Sequence, residues 1–320
     1  MRLTRLRLLL LLFIAGPTEA QIPRLSDEWY LVTTDGCRLY IAEYGRGPQV
    51  VILLHGGWGA EHSYLFRALA GLDTTKYRFV LYDQRGSLRS PCADSSISLA
   101  RMIQDLDDLR ASLHEPKVIL LGHSMGTFLA MAYLDRHPDR VRGLILTGAV
   151  QPGEPPSGDP REQQRSDSLA QAFLHRPEIA AQLKREGLER DSTALDWRER
   201  THLWRIRDFA GANIYHIERW REVRGGKIFY NPSVGRAIDR TATPVDFRPA
   251  LRRSNCMTQV INGDHDYLDM EGLQWRRQVH DTERIALTIL PRAGHAAWID
   301  QPALFRRAVA RALSQIALCP

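Results

Sequence analysis

Residues 120–127 read Leu-Leu-Gly-His-Ser-Met-Gly-Thr, and this stretch decides which fold the chain can adopt. It follows a short apolar run and precedes a run with the composition of a helix. A Gly-x-Ser-x-Gly pattern between a strand and a helix is typical of a nucleophile elbow, which holds a serine on a tight turn. Side chains in place of Gly122 or Gly126 would collide with the neighbouring strand or helix. The pattern therefore predicts Ser124 as a nucleophile, with the first amides of the helix facing the group that it attacks.

Apolar runs that predict strands alternate with helical runs along most of the chain. This spacing favours an α/β fold with a mostly parallel sheet and helices on both of its faces. A hairpin around Asp35-Gly36 adds two strands before the first parallel one, and a last helix begins at Pro302. The predicted strands are residues 29–34, 38–44, 49–54, 77–82, 118–121, 141–150, 257–262 and 284–290.

The composition of the chain changes after Gln151. A loop rich in proline is followed by roughly ninety residues that are dense in Arg, Glu, Gln and Trp and carry no strong strand pattern. Residues 170–173, 179–188 and 195–209 are predicted helices. The predicted organisation is a core formed by residues 21–150 and 251–320, with residues 151–250 inserted as a helical cap.

The first twenty residues have the pattern of a secretory signal peptide. Three arginines precede an apolar run from Leu8 to Ala15, and Thr18-Glu19-Ala20 offers a cleavage site. The apolar run is too short for a membrane span, although an uncleaved anchor is the alternative interpretation. Cleavage would remove three arginines and one glutamate and lower the net charge from +6 to +4. The basic residues are spread along the chain, so nothing in their pattern predicts nucleic-acid binding, and we expect a secreted or periplasmic protein.

The four cysteines could form disulfide bonds if the protein is exported. Cys37, Cys92, Cys256 and Cys319 allow three pairings in an oxidising compartment. If one bond forms, the favoured pair is Cys256 with Cys319, which would tie the last helix to a late strand. None of the four has the spacing of metal ligands, and the sequence predicts neither a metal nor another cofactor.

A serine nucleophile needs a base and a group that orients the base. Two later strand exits supply them: the acidic loop 263–268 and the loop that carries Gly294-His295. The order Ser, acid, His is that of α/β-hydrolases. His295 is the predicted base, brought near the elbow because Gly294 is small. Asp266 is favoured over Asp264 as the acid, and the other aspartate is expected to bind the loop backbone.

The first parallel strand ends in His55-Gly56-Gly57-Trp58-Gly59. Acyl transfer needs N–H donors where the carbonyl oxygen becomes negative, so this loop is a candidate for the oxyanion hole. The amides of Gly57 and Met125 are the predicted donors, with the amide of Trp58 as the neighbouring option. A plain glycine-rich turn is the alternative. His55 and His123 are expected to shape their loops rather than to transfer protons.

Several motifs of the sequence occur together. They are His55-Gly56-Gly57, Asp83-Gln84-Arg85-Gly86 with Ser90, residues 105–113, the elbow with Ala130-x-Ala132-Tyr133, His137-Pro138-x-Arg140-Val141, and Gly294-His295. Together these motifs resemble prolyl iminopeptidases and related serine aminopeptidases. The likeness covers most of residues 50–150 and recurs over residues 257–300. The resemblance implies an α/β-hydrolase core, a helical cap over the site, no cofactor, and cleavage of an N-terminal residue or a short peptide.

Four positions depart from that family's pattern. The elbow is Gly-His-Ser-Met-Gly, a general esterase-like form, where the family has Gly-Gly-Ser-Trp-Gly. Trp58 replaces a proline and Leu88 replaces a glycine.

In such aminopeptidases cap carboxylates hold the free amine of the substrate. The resemblance therefore makes Glu218 the matching candidate here, with Trp58 and Trp220 as candidate walls of the pocket.

The sequence thus predicts an exported serine hydrolase, an aminopeptidase by resemblance, whose partner is a short peptide or a small-molecule substrate. A carboxylesterase or lactonase with the same triad is the first alternative. A catalytically silent α/β-hydrolase that binds a ligand is the second. The oligomeric state stays open.

Overall fold

The computed structural model describes residues 24–153, 160–196, 199–200, 203, 210–223, 230–242, 246–279 and 283–318. The predicted signal peptide lies outside these residues, as does most of the predicted helix 195–209. Among the helices of the described ranges, none is long and apolar enough to cross a membrane.

An eight-stranded sheet carries the candidate site. Its spatial order is β1-β2-β4-β3-β5-β6-β7-β8, with antiparallel pairing of β1 with β2 and of β2 with β4 and parallel pairing elsewhere. The carboxyl ends of the six parallel strands therefore meet at one edge, where the candidate residues also lie. The strands are β1 Leu25–Val32, β2 Arg38–Tyr44, β3 Gln49–Leu54, β4 Tyr77–Tyr82, β5 Val118–His123, β6 Val141–Thr147, β7 Met257–Gly263 and β8 Ile285–Leu290.

Helices cover both faces of this sheet. Successive residues of β3 show the result, since Ile52 and Leu54 pack into one hydrophobic core and Val51 and Leu53 into the other. In the described ranges, the α-helices of four residues or more are α1 Leu99–Ser112, α2 Met125–Arg136, α3 Pro160–Leu174, α4 Pro177–Arg185, α5 Pro232–Thr241, α6 Arg248–Arg253, α7 Leu273–Val279, α8 Ala297–Asp300 and α9 Pro302–Ala317.

The segment between β6 and β7 is termed here the helical insertion, residues 151–250. In its described ranges it contains helices and turns and no strand. The predicted fold class is confirmed for the sheet and its helices. Residues His62–Leu69 form a 3-10 helix, and Gly71 turns the chain after it at a φ of 73°.

The structure contains a disulfide that the sequence did not favour. Cys37 is bonded to Cys92, with Cα atoms 6.3 Å apart. This bond ties the turn after β1 to the loop beyond β4, which are 55 residues apart in the chain. Sequence spacing could not predict that these two loops meet. The favoured Cys256–Cys319 pair completes the same pairing scheme, but Cys319 lies outside the described residues, so that bond stays a prediction.

Candidate active site

Ser124 occupies a sharp turn between β5 and α2. Its backbone has a φ of 52° and a ψ of −126°, a strained conformation for a residue other than glycine. A Cβ on Gly126 would lie 2.1 Å from the Leu54 carbonyl oxygen, and one on Gly122 would lie 2.7 Å from the Gly126 oxygen. The predicted requirement for glycine at both positions is therefore confirmed, and the turn has the geometry of a nucleophile elbow.

His295 and Asp266 form a buried pair at the same sheet edge. Nδ1 of His295 lies 3.0 Å from Oδ1 and 3.1 Å from Oδ2 of Asp266, and both side chains are shielded from water. In the described part of the chain, the buried Nε2 of His295 has no hydrogen-bond partner. The structure thus brings the predicted base and acid together and leaves the second ring nitrogen available to a reacting group.

Asp264 has a different environment from Asp266. It accepts a hydrogen bond from the Ala293 amide at 3.1 Å, and its Oδ1 lies 2.7 Å from Nδ1 of His265. Burial would raise the pKa of Asp264, but these hydrogen bonds outweigh it and hold the pKa below its usual value. Asp264 therefore braces the loop backbone, which is the role expected of the aspartate that is not the acid.

Gly148, at the exit of β6, is a site residue that sequence reasoning missed. It has a φ of 53°, and a Cβ there would lie 2.8 Å from both Cε1 and Nδ1 of His295. The close approach expected at Gly294 is made instead to the helical insertion, because a Cβ on Gly294 would meet Asn213 and Ile214 at 3.0 Å. A glycine after an apolar strand was the available signal, but only the fold puts it beside His295.

A chain of hydrogen bonds joins the three loops of the site through Tyr64 and His123. The Gly56 amide donates to the Tyr64 hydroxyl at 2.6 Å, and that hydroxyl lies 2.7 Å from Nδ1 of His123. Nε2 of His123 lies 3.3 Å from the carbonyl oxygen of His295. Burial, together with the nearby His295, lowers the pKa of His123 well below its usual value. His123 therefore stays neutral and connects loops, and Tyr64 is a second residue that the sequence did not reveal.

The loop after β3 packs directly against the nucleophile. A Cβ on Gly56 would lie only 2.5 Å from Cβ of Ser124, and Gly57 adopts a φ of 68°. Met125 is the first residue of α2, so its amide has no partner within the helix. The amides of Gly57 and Met125 thus belong to the two segments that flank Ser124, as an oxyanion hole requires.

The loop after β4 supports the loop after β3. The backbone amide of Gln84 donates to Nε2 of His55 at 3.1 Å, and the side-chain amide of Gln84 donates to the His55 carbonyl oxygen at 2.8 Å. Buried Arg85 binds Asp105 and Asp35 and donates to the Ser96 carbonyl oxygen at 2.7 Å. These contacts give the loop after β4 a structural role in the site.

The three predicted substrate-binding residues lie in different environments, one exposed and two buried. Glu218 has a side chain 70% exposed, and its carboxylate lies 3.3 Å from Nδ1 of His216. Trp220 is buried against Phe173 in the helical insertion. Trp58 is also buried, edge-on to Phe128 of α2. The two tryptophans belong to the two hydrophobic cores, because large apolar rings are stabilised most by complete burial.

The buried His55 predicts how the free energy of unfolding changes with pH. Burial lowers the pKa of His55 from 6.5 to about 4, so between these values the unfolded chain binds a proton that the folded chain does not. Stability should therefore fall as the pH drops through this window, by roughly 2 kcal/mol from His55 between about pH 7 and pH 5. Urea denaturation at the two pH values measures this loss.

The matched variants for that measurement are His55→Gln and His265→Gln. Glutamine can still accept the Gln84 amide but does not titrate, so His55→Gln should reduce the loss by roughly 2 kcal/mol. His265 is 46% exposed, so His265→Gln is the control for replacing a histidine at the surface. An equal effect of both variants would contradict the prediction.

Comparison with known proteins agrees with this geometry. A family model described as the alpha/beta hydrolase fold matches residues 49–180. The chain is 28% identical to a putative 2-succinyl-6-hydroxy-2,4-cyclohexadiene-1-carboxylate synthase of Bacillus subtilis (strain 168), over 89% of this chain and 98% of that protein. It is 37% identical to the proline iminopeptidase of Neisseria gonorrhoeae, over 37% of this chain. That match spans only 39% of the relative's own length.

Solved structures share the fold at low sequence identity. A proline iminopeptidase-related protein from Thermus thermophilus has a TM-score of 0.62 at 24% identity, covering 93% of this chain and 100% of its own. A thermophilic esterase from Thermogutta terrifontis has a TM-score of 0.63 at 20% identity, covering 91% and 99%. The strand order, the elbow and these similarities together show that the chain has the α/β-hydrolase fold.

Proposed function

We propose that this α/β-hydrolase is a serine hydrolase in which Ser124 attacks a carbonyl carbon. The observation that carries the proposal is the buried His295 ring, bound to Asp266 through Nδ1 and unpartnered at Nε2 in the described residues. Nε2 takes the proton of the Ser124 hydroxyl as the new C–O bond forms, and Asp266 stabilises the resulting imidazolium. His295 then donates that proton to the leaving group.

The amides of Gly57 and Met125 stabilise the oxyanion in this mechanism. The positive φ of Gly57 and the first turn of α2 support that assignment, because both orient backbone N–H groups near the elbow. Collapse of the tetrahedral intermediate leaves an acyl group on Ser124. Water, deprotonated by His295, attacks the acyl carbon and regenerates the free serine.

The leading substrate is a short peptide with a free N-terminus. The resemblance to serine aminopeptidases and the similarity to a protein named proline iminopeptidase support this choice. Glu218, the candidate for binding the amine, faces solvent. That position favours a second candidate, hydrolysis of carboxylic esters or lactones, which needs no carboxylate for an amine and suits the Gly-His-Ser-Met-Gly elbow.

The proposal includes export from the cytoplasm. The first twenty residues have the composition of a signal peptide, and the Cys37–Cys92 disulfide suits an oxidising compartment. Expression in a bacterial host, followed by fractionation and N-terminal sequencing, tests this. A mature protein that begins at Gln21 supports export, and an intact Met1 in the cytoplasm contradicts it.

A fluorophosphonate probe tests the nucleophile. We expect covalent labelling of the folded protein, with peptide mapping that places the phosphonate on Ser124, and no labelling after heat denaturation. Absence of labelling on the folded protein would reject the serine hydrolase proposal and favour a ligand-binding role.

An arylamide and ester panel separates the two substrate classes. Proline and alanine arylamides are compared with short p-nitrophenyl esters at equal enzyme concentration. Turnover of the arylamides, abolished when the amino group is acetylated, supports the aminopeptidase. Turnover of the esters alone rejects it and selects the esterase.

A further inference from the structure

The carboxylate of Asp300 joins two segments that lie far apart in the chain. Its Oδ2 accepts hydrogen bonds from the amides of Gly294 and Tyr215, each at 2.8 Å, and its Oδ1 accepts one from the His216 amide at 2.8 Å. The Asp300 side chain is buried. Gly294 directly precedes His295, whereas Tyr215 and His216 belong to the helical insertion. One carboxylate therefore holds both the loop of the base and the insertion.

Backbone contacts beside Asp300 strengthen this junction. The Ala296 amide donates to the Asn213 carbonyl oxygen at 2.7 Å. On the other side of His295, Gly294 lies so close to Asn213 and Ile214 that a Cβ would be 3.0 Å from them. Both residues that flank His295 therefore contact the insertion, Ala296 through a hydrogen bond and Gly294 through close packing. These contacts hold the backbone that carries the imidazole.

The same part of the insertion also reaches the loop of the acid. The ring of Tyr215 packs on the ring of His265, with centroids 4.4 Å apart. Arg219 further donates to the Asp300 carbonyl oxygen at 3.4 Å. Residues 213–219 therefore contact the loops of both His295 and Asp266, and the Asp300 carboxylate, which receives three amides, lies at the centre of these contacts.

We propose that Asp300 is a positioning residue that fixes His295 by tying its loop to residues 213–216 of the helical insertion. The inference rests on the proposed role of His295 as the base. It makes the insertion a part of the machinery that orients the base. A displacement of the imidazole of about 1 Å costs on the order of 100-fold in rate, so even partial loosening of this junction should be measurable.

The experiment compares Asp300→Ala with Asp300→Asn in the full-length protein. Alanine leaves three amides without their acceptor, and we expect kcat for a p-nitrophenyl ester to fall about 30-fold with KM within about threefold. Asparagine keeps one oxygen for the Gly294 and Tyr215 amides but opposes the His216 amide with a donor. We expect a smaller fall of about fivefold. The asparagine variant also covers the case in which Asp300→Ala does not fold.

Asp107→Asn is the matched control for lost stability. Asp107 binds Tyr133, Arg110 and Arg140 through its carboxylate and makes none of the contacts of the site. It should lower the Tm while leaving kcat within about twofold of wild type. If the folded Asp300→Ala variant also keeps kcat within about twofold, Asp300 is merely structural and the inference is wrong.

A spectroscopic measurement separates this inference from the proposed reaction. The proton NMR signal of the Nδ1–H of His295, hydrogen-bonded to Asp266, reports the ring position without any substrate. We expect the signal to shift or broaden in both Asp300 variants and to persist in Asp107→Asn. An unchanged signal in Asp300→Ala overturns the positioning role. Wild-type protein that resists the fluorophosphonate probe overturns the serine hydrolase proposal and leaves the NMR test intact.

Discussion

Asp266→Asn is expected to lower kcat by about 10⁴-fold, whereas Asp264→Asn should lower it by less than about tenfold. The Leu268 amide donates to Oδ1 of Asp266 at 3.0 Å and so keeps an oxygen at that position. The amide nitrogen of asparagine would then replace Oδ2 and donate to Nδ1 of His295. His295 would carry its proton on Nε2, and that nitrogen could not accept the proton of Ser124.

The Asp264 variant is the matched control because it has the same substitution two residues away. Asp264 receives the Ala293 amide and contacts His265 rather than His295. Initial rates at saturating substrate, with Ser124→Ala as the blank, measure both variants. A greater loss in Asp264→Asn would assign the acid to Asp264. Small losses in both would remove a carboxylate from the mechanism.

Gly148→Ala is expected to lower kcat by about 10²-fold while the protein stays folded. The new methyl group would begin 2.8 Å from Cε1 and Nδ1 of His295, well inside normal contact, so the ring must move. The backbone at Gly148 cannot easily relieve the clash, because its φ of 53° already disfavours a side chain. The displaced ring would lose alignment with both Asp266 and Ser124.

Gly235→Ala is the control for adding a methyl group elsewhere. Gly235 lies within α5, and its nearest neighbour to a new Cβ is an atom of Trp58 at 3.8 Å, an ordinary contact. Alanine there should leave kcat unchanged and raise stability by up to about 1 kcal/mol through helix propensity. Ester hydrolysis and thermal unfolding of both variants provide the comparison. Retention of more than half the wild-type kcat by Gly148→Ala would contradict the prediction.

Most of the sheet could be predicted because strands buried on two faces leave continuous apolar runs in the sequence. For this reason the predicted bounds of two strands, Gln49–Leu54 and Tyr77–Tyr82, are the same as those observed in the structure. Helix α7 was not predicted, because it is short and lies beside a loop with turn residues. The Cys37–Cys92 bond was not favoured, because it depends on two loops that only the hairpin and β4 bring together.

Some residues of the candidate site could likewise be predicted from the sequence and others could not. Ser124, Asp266 and His295 were predictable because each follows a strand whose carboxyl end must lie at one edge of a parallel sheet. Glu218 was selected from a resemblance alone, and the fold turns its carboxylate toward solvent. Tyr64 bonds residues 8 and 59 positions away, and Asp300 bonds residues 6, 84 and 85 positions away. No local pattern distinguishes either residue from an ordinary core residue.

By itself the sequence determined the elbow, the order of the proposed nucleophile, acid and base, and the helices on both faces of the sheet, since these follow from local periodicity and glycine sterics. Only the tertiary structure decided which aspartate reaches His295, that Gly148 makes room for the imidazole, and that Asp300 binds the loop of His295 to the helical insertion. The physical reason is that these are contacts between separate strand exits. Their distances depend on strand order and loop packing, which local sequence patterns do not encode.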